Sequence, residues 1–187
     1  MKPFFAFVLI LCLLVSAACA YAYESTLGYS IELDEKWLEI SPATLPEFEK
    51  NDLLDALSSM GLNDAYFSSF DQRTHEVIFC ITREYGNIKV TPDETEAATS
   101  ALQDQVSEWT ALSVPFYKQS GFPIILEPQV LELSGRQWAM LGFSSNGHET
   151  YHCKTINEHT GRWFNFTATR VPNDVLTSIL QTLVFAE

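Results

Sequence analysis

Residues 124–170 of this 187-residue chain are IILEPQVLELSGRQWAMLGFSSNGHETYHCKTINEHTGRWFNFTATR. Apolar residues alternate with polar ones in four runs. The runs are separated by Ser134-Gly135, Asn146-Gly147 and His159-Thr160-Gly161. Asn-Gly between alternating runs is the strongest short hairpin signal, because both central positions of that turn need positive φ. The stretch therefore predicts a four-strand antiparallel meander.

Its register follows from the turn lengths. A two-residue Asn146-Gly147 loop pairs Ser145 with His148, Phe143 with Thr150 and Leu141 with His152. A three-residue loop ending in Gly161 pairs Ile156 with Phe164 and Lys154 with Phe166. Leu141, Phe143, Phe164 and Phe166 then share a core face. Trp138, Tyr151, Cys153, Trp163 and Asn165 share the other, an aromatic but partly polar face. That face is either half covered by a helix or a shallow binding surface at Trp138, Tyr151, Trp163 and Asn165, and packing is the commoner use of Trp and Tyr at strand positions.

Upstream, residues 27–33 and 37–40 read as a hairpin about Asp34-Glu35. Thr44-Leu45-Pro46-Glu47 has the form of a capping box, and Phe48, Leu53, Leu54, Leu57 and Met60 follow at helical spacing until Gly61. Strands are expected over 65–70 and 77–83. A second helix is expected from Thr91-Pro92-Asp93-Glu94, with the stripe Ala98, Ala101, Leu102, Val106 and Trp109, followed by a loop over 114–123. A third opens at Pro172-Asn173-Asp174 and presents Leu176, Ile179, Leu180 and Leu183, with Phe185 packing at its end.

The N-terminus carries Lys2, twelve apolar residues from Phe4 to Val15, and small residues forming Ala18-Cys19-Ala20 and Ala20-Tyr21-Ala22. This is the pattern of an export signal, 1–22, leaving a single domain over 23–187. Twelve apolar residues fall short of the roughly 20 needed to span a bilayer. The competing fate is a lipoprotein with Cys19 lipidated, although Ser16 stands where Leu is usual. Membrane attachment is expected only in that case. The chain has a net charge of −13, scattered rather than clustered, which repels a phosphate backbone and excludes nucleic acid as a natural partner. Cys80 and Cys153, both in strand-like runs, are available to pair as a disulfide contributing about 4 kcal/mol, the alternative being two buried free thiols.

The Gly28-Tyr29-Ser30-Ile31-Glu32-Leu33 opening, the later Trp37, the Gly135-Arg136-Gln137-Trp138 hairpin and the closing segment from Ile179-Leu180 to Phe185 resemble the PsbP-like and DcrB-like proteins. The resemblance implies an α+β fold: an α/β/α sandwich on a mainly antiparallel sheet, with about three helices. It also implies a secreted or periplasmic, non-enzymatic accessory or binding protein, expected here as a monomer without cofactor, whose partner is a protein or small ligand. None of the matching segments is a catalytic motif, and no binding residue is carried over.

One segment points elsewhere. His148-Glu149-Thr150-Tyr151-His152 matches His-Glu-x-x-His, in which His148 and His152 would bind zinc and Glu149 would act as base. That chemistry needs a helix, where i and i+4 lie about 6 Å apart. On a strand they lie roughly 13 Å apart, with Glu149 on the opposite face. The preceding Asn-Gly turn and the residues Tyr151, Cys153, Thr155 and Ile156 favour the strand. The zinc hydrolase is the alternative to the accessory protein. Gly142-Phe143-Ser144-Ser145-Asn146-Gly147 lacks the spacing of a nucleophile elbow, and adjacent strand residues His152 and Cys153 project to opposite faces.

Overall fold

The computed structural model describes residues 20–35, 37–40, 76–80, 86–97, 100–145 and 147–187. Residues 1–19 of the expected 1–22 signal, the first helix over 44–60 and the strand over 65–70 lie outside them, while residues 20–22 are described.

Strands β1 (Ala20–Glu24), β2 (Tyr29–Asp34), β3 (Trp37–Ile40), β4 (Glu76–Cys80) and β5 (Asn87–Glu96) come first. Helix α1 (Ala101–Glu108) runs through a π-helical turn (Trp109–Ser113) into α2 (Val114–Gln119). Then come β6 (Ile124–Leu133), β7 (Arg136–Ser145), β8 (His148–Asn157), β9 (Arg162–Thr169), α3 (Asn173–Gln181) and β10 (Val184–Phe185). The class is α+β, with mostly antiparallel sheet and few helices. One sheet has the order β3-β4-β5-β9-β8-β7-β6 and a smaller one β1-β2-β10.

The residues flanking Gly147 pair as expected, Ser145 with His148, Phe143 with Thr150 and Leu141 with His152. The next hairpin does not. Asn157 pairs with Arg162, so Ile156 faces Trp163 and Lys154 faces Asn165. The cause is local: the Asn157 side chain accepts from the amides of His159 and Thr160 at 2.9 and 3.3 Å, organising a four-residue loop in place of three. A one-residue slip exchanges the faces of a strand. Phe164, Phe166 and Ala168 accordingly join Trp138, Met140, Tyr151 and Cys153 in the main core, which also takes Tyr29, Ile31 and Leu33 from the small sheet and Leu176, Ile179 and Leu180 from α3. Tyr29 meets Phe164 edge-on at 5.1 Å between ring centres, and Phe164 meets Phe185 at 4.8 Å. Burying each such ring contributes on the order of 1.5–3 kcal/mol. On the opposite face Val106, Trp109 and Val114 close over Ala139 and Leu141. The large sheet thus has a helix on one side and, on the other, a small sheet beside α3.

Three further expectations are corrected. β2 and β3 do not form a hairpin: β2 pairs with β1 and β10, while β3 pairs with β4. Thr91-Pro92-Asp93-Glu94 does not start a helix but continues β5 against β9, with Pro92 opposite Phe164. The described residues of β4 pair with residues 87–90 of β5. The expected loop over 114–123 is largely helix, since Pro115 falls at the start of α2, directly after the wide π turn.

Candidate functional site

Residues 148–152 lie in β8, fully extended. His148 and His152 share a face roughly 13 Å apart, beyond the reach of one ion. Glu149 projects to the other face and accepts a hydrogen bond from Tyr151 Oη at 2.8 Å. Among the described residues no cluster of three His, Cys, Asp or Glu side chains is placed to hold a metal.

His152 is committed to packing. Its Nε2 lies 3.1 Å from Tyr117 Oη and its Nδ1 3.4 Å from Thr167 Oγ1. The Tyr117 ring stacks on Phe143 at 4.0 Å. Burial, and secondarily Lys154, lower the His152 pKa below its ordinary value. Cys153, on the opposite face, is a buried free thiol whose pKa burial pushes up. Of the two alternatives for Cys80 and Cys153, Cys153 is a free thiol: β4, carrying Cys80, and β8 are three strand positions apart in the sheet, roughly 14 Å at ordinary strand spacing, against the roughly 4.4–6.8 Å that a disulfide spans.

The expected aromatic surface is divided between two faces. Trp138 is fully buried and Tyr151 nearly so, both in the main core. Trp163 and Asn165 lie half-buried on the side of α1. There Lys154 Nζ donates to Gln105 Oε1 at 2.8 Å and sits 5.5 Å from the centre of the Trp163 ring, while Asn165 Nδ2 donates to the Thr91 carbonyl at 3.1 Å. Burial lowers the Lys154 pKa, opposed by Glu108 and Asp93. These contacts tie the helix and β5 to the sheet.

The concave site lies elsewhere. At one end of the large sheet, the β6–β7 turn, the end of β8, the C-terminus of α3 and Leu102 of α1 enclose a cleft of about 480 Å³. Leu102, Leu133, Ile156, Leu180 and Leu183 supply aliphatic wall, and Ser134, Gln137, Thr155 and Gln181 supply polar groups. A second depression of about 460 Å³ shares Leu102, Gln137 and Ile156. Arg136 stands at the cleft with its guanidinium 4.5 Å above the Phe185 ring, forked onto the Glu158 carboxylate through Nη1 and Nη2. Arg136 holds the Glu158 carboxyl below the usual carboxylate range. Sequence reasoning missed this site because four separated segments build it. Its only local trace was Arg136 directly after the Ser134-Gly135 turn.

No family model matches the chain, and no curated protein matches its sequence. Solved structures do resemble it. A protein of Bacteroides thetaiotaomicron VPI-5482 superposes on 89% of this chain with a TM-score of 0.51 at 12% identity. The match takes in 48% of that protein, so this chain spans about half its length. LpqN, involved in cell envelope biogenesis of Mycobacterium tuberculosis, is similar over 90% of this chain and 91% of its own, with a TM-score of 0.49 and 12% identity. At such identity the likeness is one of fold: the chain shares an α+β architecture with the Bacteroides protein. Among the described residues no helix is long and apolar enough to cross a membrane.

Proposed function

We propose that this chain is a non-enzymatic accessory or binding protein of PsbP-like or DcrB-like type that works outside the cytoplasm, secreted or periplasmic, as a monomer. The carrying observation is the cleft beside Arg136. Its volume of about 480 Å³ falls in the range of ligand sites, and aliphatic walls with a few convergent polar groups are what such sites use. The side chains with catalytic potential support the same reading, because His152, Cys153 and Lys154 are each engaged in packing between layers. The export signal over 1–22 supports the compartment, with lipidation at Cys19 the route to a membrane.

Complementation of a chromosomal deletion tests this. Leu102→Trp, which fills the cleft from its rim, is expected to fail while remaining folded. His148→Ala and Glu149→Gln, both at exposed positions, are expected to complement fully. Loss of function in Glu149→Gln with full function in Leu102→Trp would put the hydrolase in place of the binding role.

A further inference from the structure

We propose that the cleft receives a small aliphatic carboxylate, and that Glu158 fills its anion position when no ligand is bound. The proposal rests on the binding reading above and names the ligand class.

Arg136 is held by groups other than Glu158. Its side chain is 19% exposed and that of Glu158 51%. The guanidinium lies over the Phe185 ring and within 3.5 Å of the Ile156 carbonyl, contacts that do not involve Glu158. The cation is therefore fixed by β7, β8 and β10, whereas its carboxylate partner reaches in from the exposed β8–β9 loop. A guanidinium fork matches a carboxylate through two parallel hydrogen bonds, and Glu158 already shows that this fork can be filled so. An incoming carboxylate exchanges one anion for another. The local charge is unchanged, no buried cation is stranded, and Glu158 returns to water at little cost because it is half exposed.

The body of the ligand follows from the walls. They are Leu102, Leu133, Ile156, Leu180 and Leu183, and among the described residues no aromatic side chain lines the cleft. A planar ring would find no face to stack on, while a flexible chain of methylenes finds aliphatic contact throughout. Gln137 and Gln181 add amides to the lining of the cleft.

Titration of the mature protein with octanoate and with 1-octanol, followed by nuclear magnetic resonance shifts, tests the assignment. Wild type is expected to bind octanoate in preference to octanol. Glu158→Gln removes the competing charge at an exposed position and should bind octanoate roughly tenfold tighter. Arg136→Met should lose the preference for octanoate over octanol, and Leu102→Trp should lose both ligands while keeping its folded spectrum. Unchanged octanoate affinity in Glu158→Gln, or equal binding of octanol and octanoate in wild type, overturns the proposal. The two readings fail separately. Absent octanoate binding with failed complementation by Leu102→Trp rejects the ligand class and keeps the binding role. Octanoate binding with full complementation by Leu102→Trp keeps the site and rejects that role.

Discussion

Tyr117 Oη and His152 Nε2 lie 3.1 Å apart, joining the end of the long helix to the middle of β8. The imidazole is half-buried and neutral by preference, since partial burial and Lys154 both disfavour its charged form. In the unfolded chain its pKa returns to about 6.5. Between the lowered folded value and 6.5 the unfolded state binds more protons, so stability rises with pH there and is lost as pH falls below about 6.5. Urea unfolding from pH 7.5 to 5 is expected to show this slope, and His152→Gln to flatten it. Tyr117→Phe, which keeps the stack on Phe143, should cost about 1 kcal/mol at pH 7.5. An identical slope in His152→Gln would assign the effect to another group.

Gly142 is required by its neighbour. A Cβ at this position would fall 2.7 Å from Cε1 of Tyr151, directly across the β7–β8 ladder. Tyr151 is 4% exposed and its hydroxyl is tied to Glu149, so the ring has little room to turn aside. Gly142→Ala should cost about 1–3 kcal/mol through overpacking. Tyr151→Leu in the same background should recover part of the loss in urea unfolding, a rescue that a backbone effect at position 142 would not give.

Cys153 is a free thiol enclosed by the main core. Iodoacetamide should therefore modify it only as fast as the protein unfolds, and denaturant should release full reactivity. Rapid labelling under native conditions would contradict the placement of β8 in the core. Cys153→Ser, which puts a hydroxyl among Met140, Tyr151 and Phe166, should cost about 1–3 kcal/mol.

These residues also show which parts of the fold could be read from sequence. Positive φ at Gly147 is a demand that a single turn makes on a single residue, and it registered β7 against β8 correctly, whereas two bulges in β6 turn Leu126 from its expected face to the main core. The β8–β9 loop escaped because one Asn157 side chain decides whether three residues or four make the turn. The β9 members of the expected aromatic face, Trp163 and Asn165, were misassigned as a result. Thr91 and Pro92 carried a valid local helix signal that pairing with β9 overrode. The cleft had no local signal, because Leu102 and Leu183 come to line one cleft only after the layers stack.

β1 begins at Ala20, and Ala20, Tyr21 and Ala22 pair with Asp34, Leu33 and Glu32. Tyr21 Oη donates to the Trp37 carbonyl at 3.2 Å, linking the small sheet to the start of β3. Tyr23, next in line, is 4% exposed in the main core. Processing after Ala22 would strip three paired residues and leave Tyr23 at a charged terminus. Processing after Ala20, or at Cys19, keeps most or all of the strand. Chains expressed from Ala20 and from Tyr23 should differ by about 1–3 kcal/mol in urea unfolding, the longer being the more stable. The tyrosine at the new terminus of the shorter chain should also report its loosening, as faster amide exchange at Ile31 and Leu33. Equal stability would show that β1 contributes nothing beyond Tyr23. Mass measurement of the exported protein would then be free to place the cut at either Ala-x-Ala site.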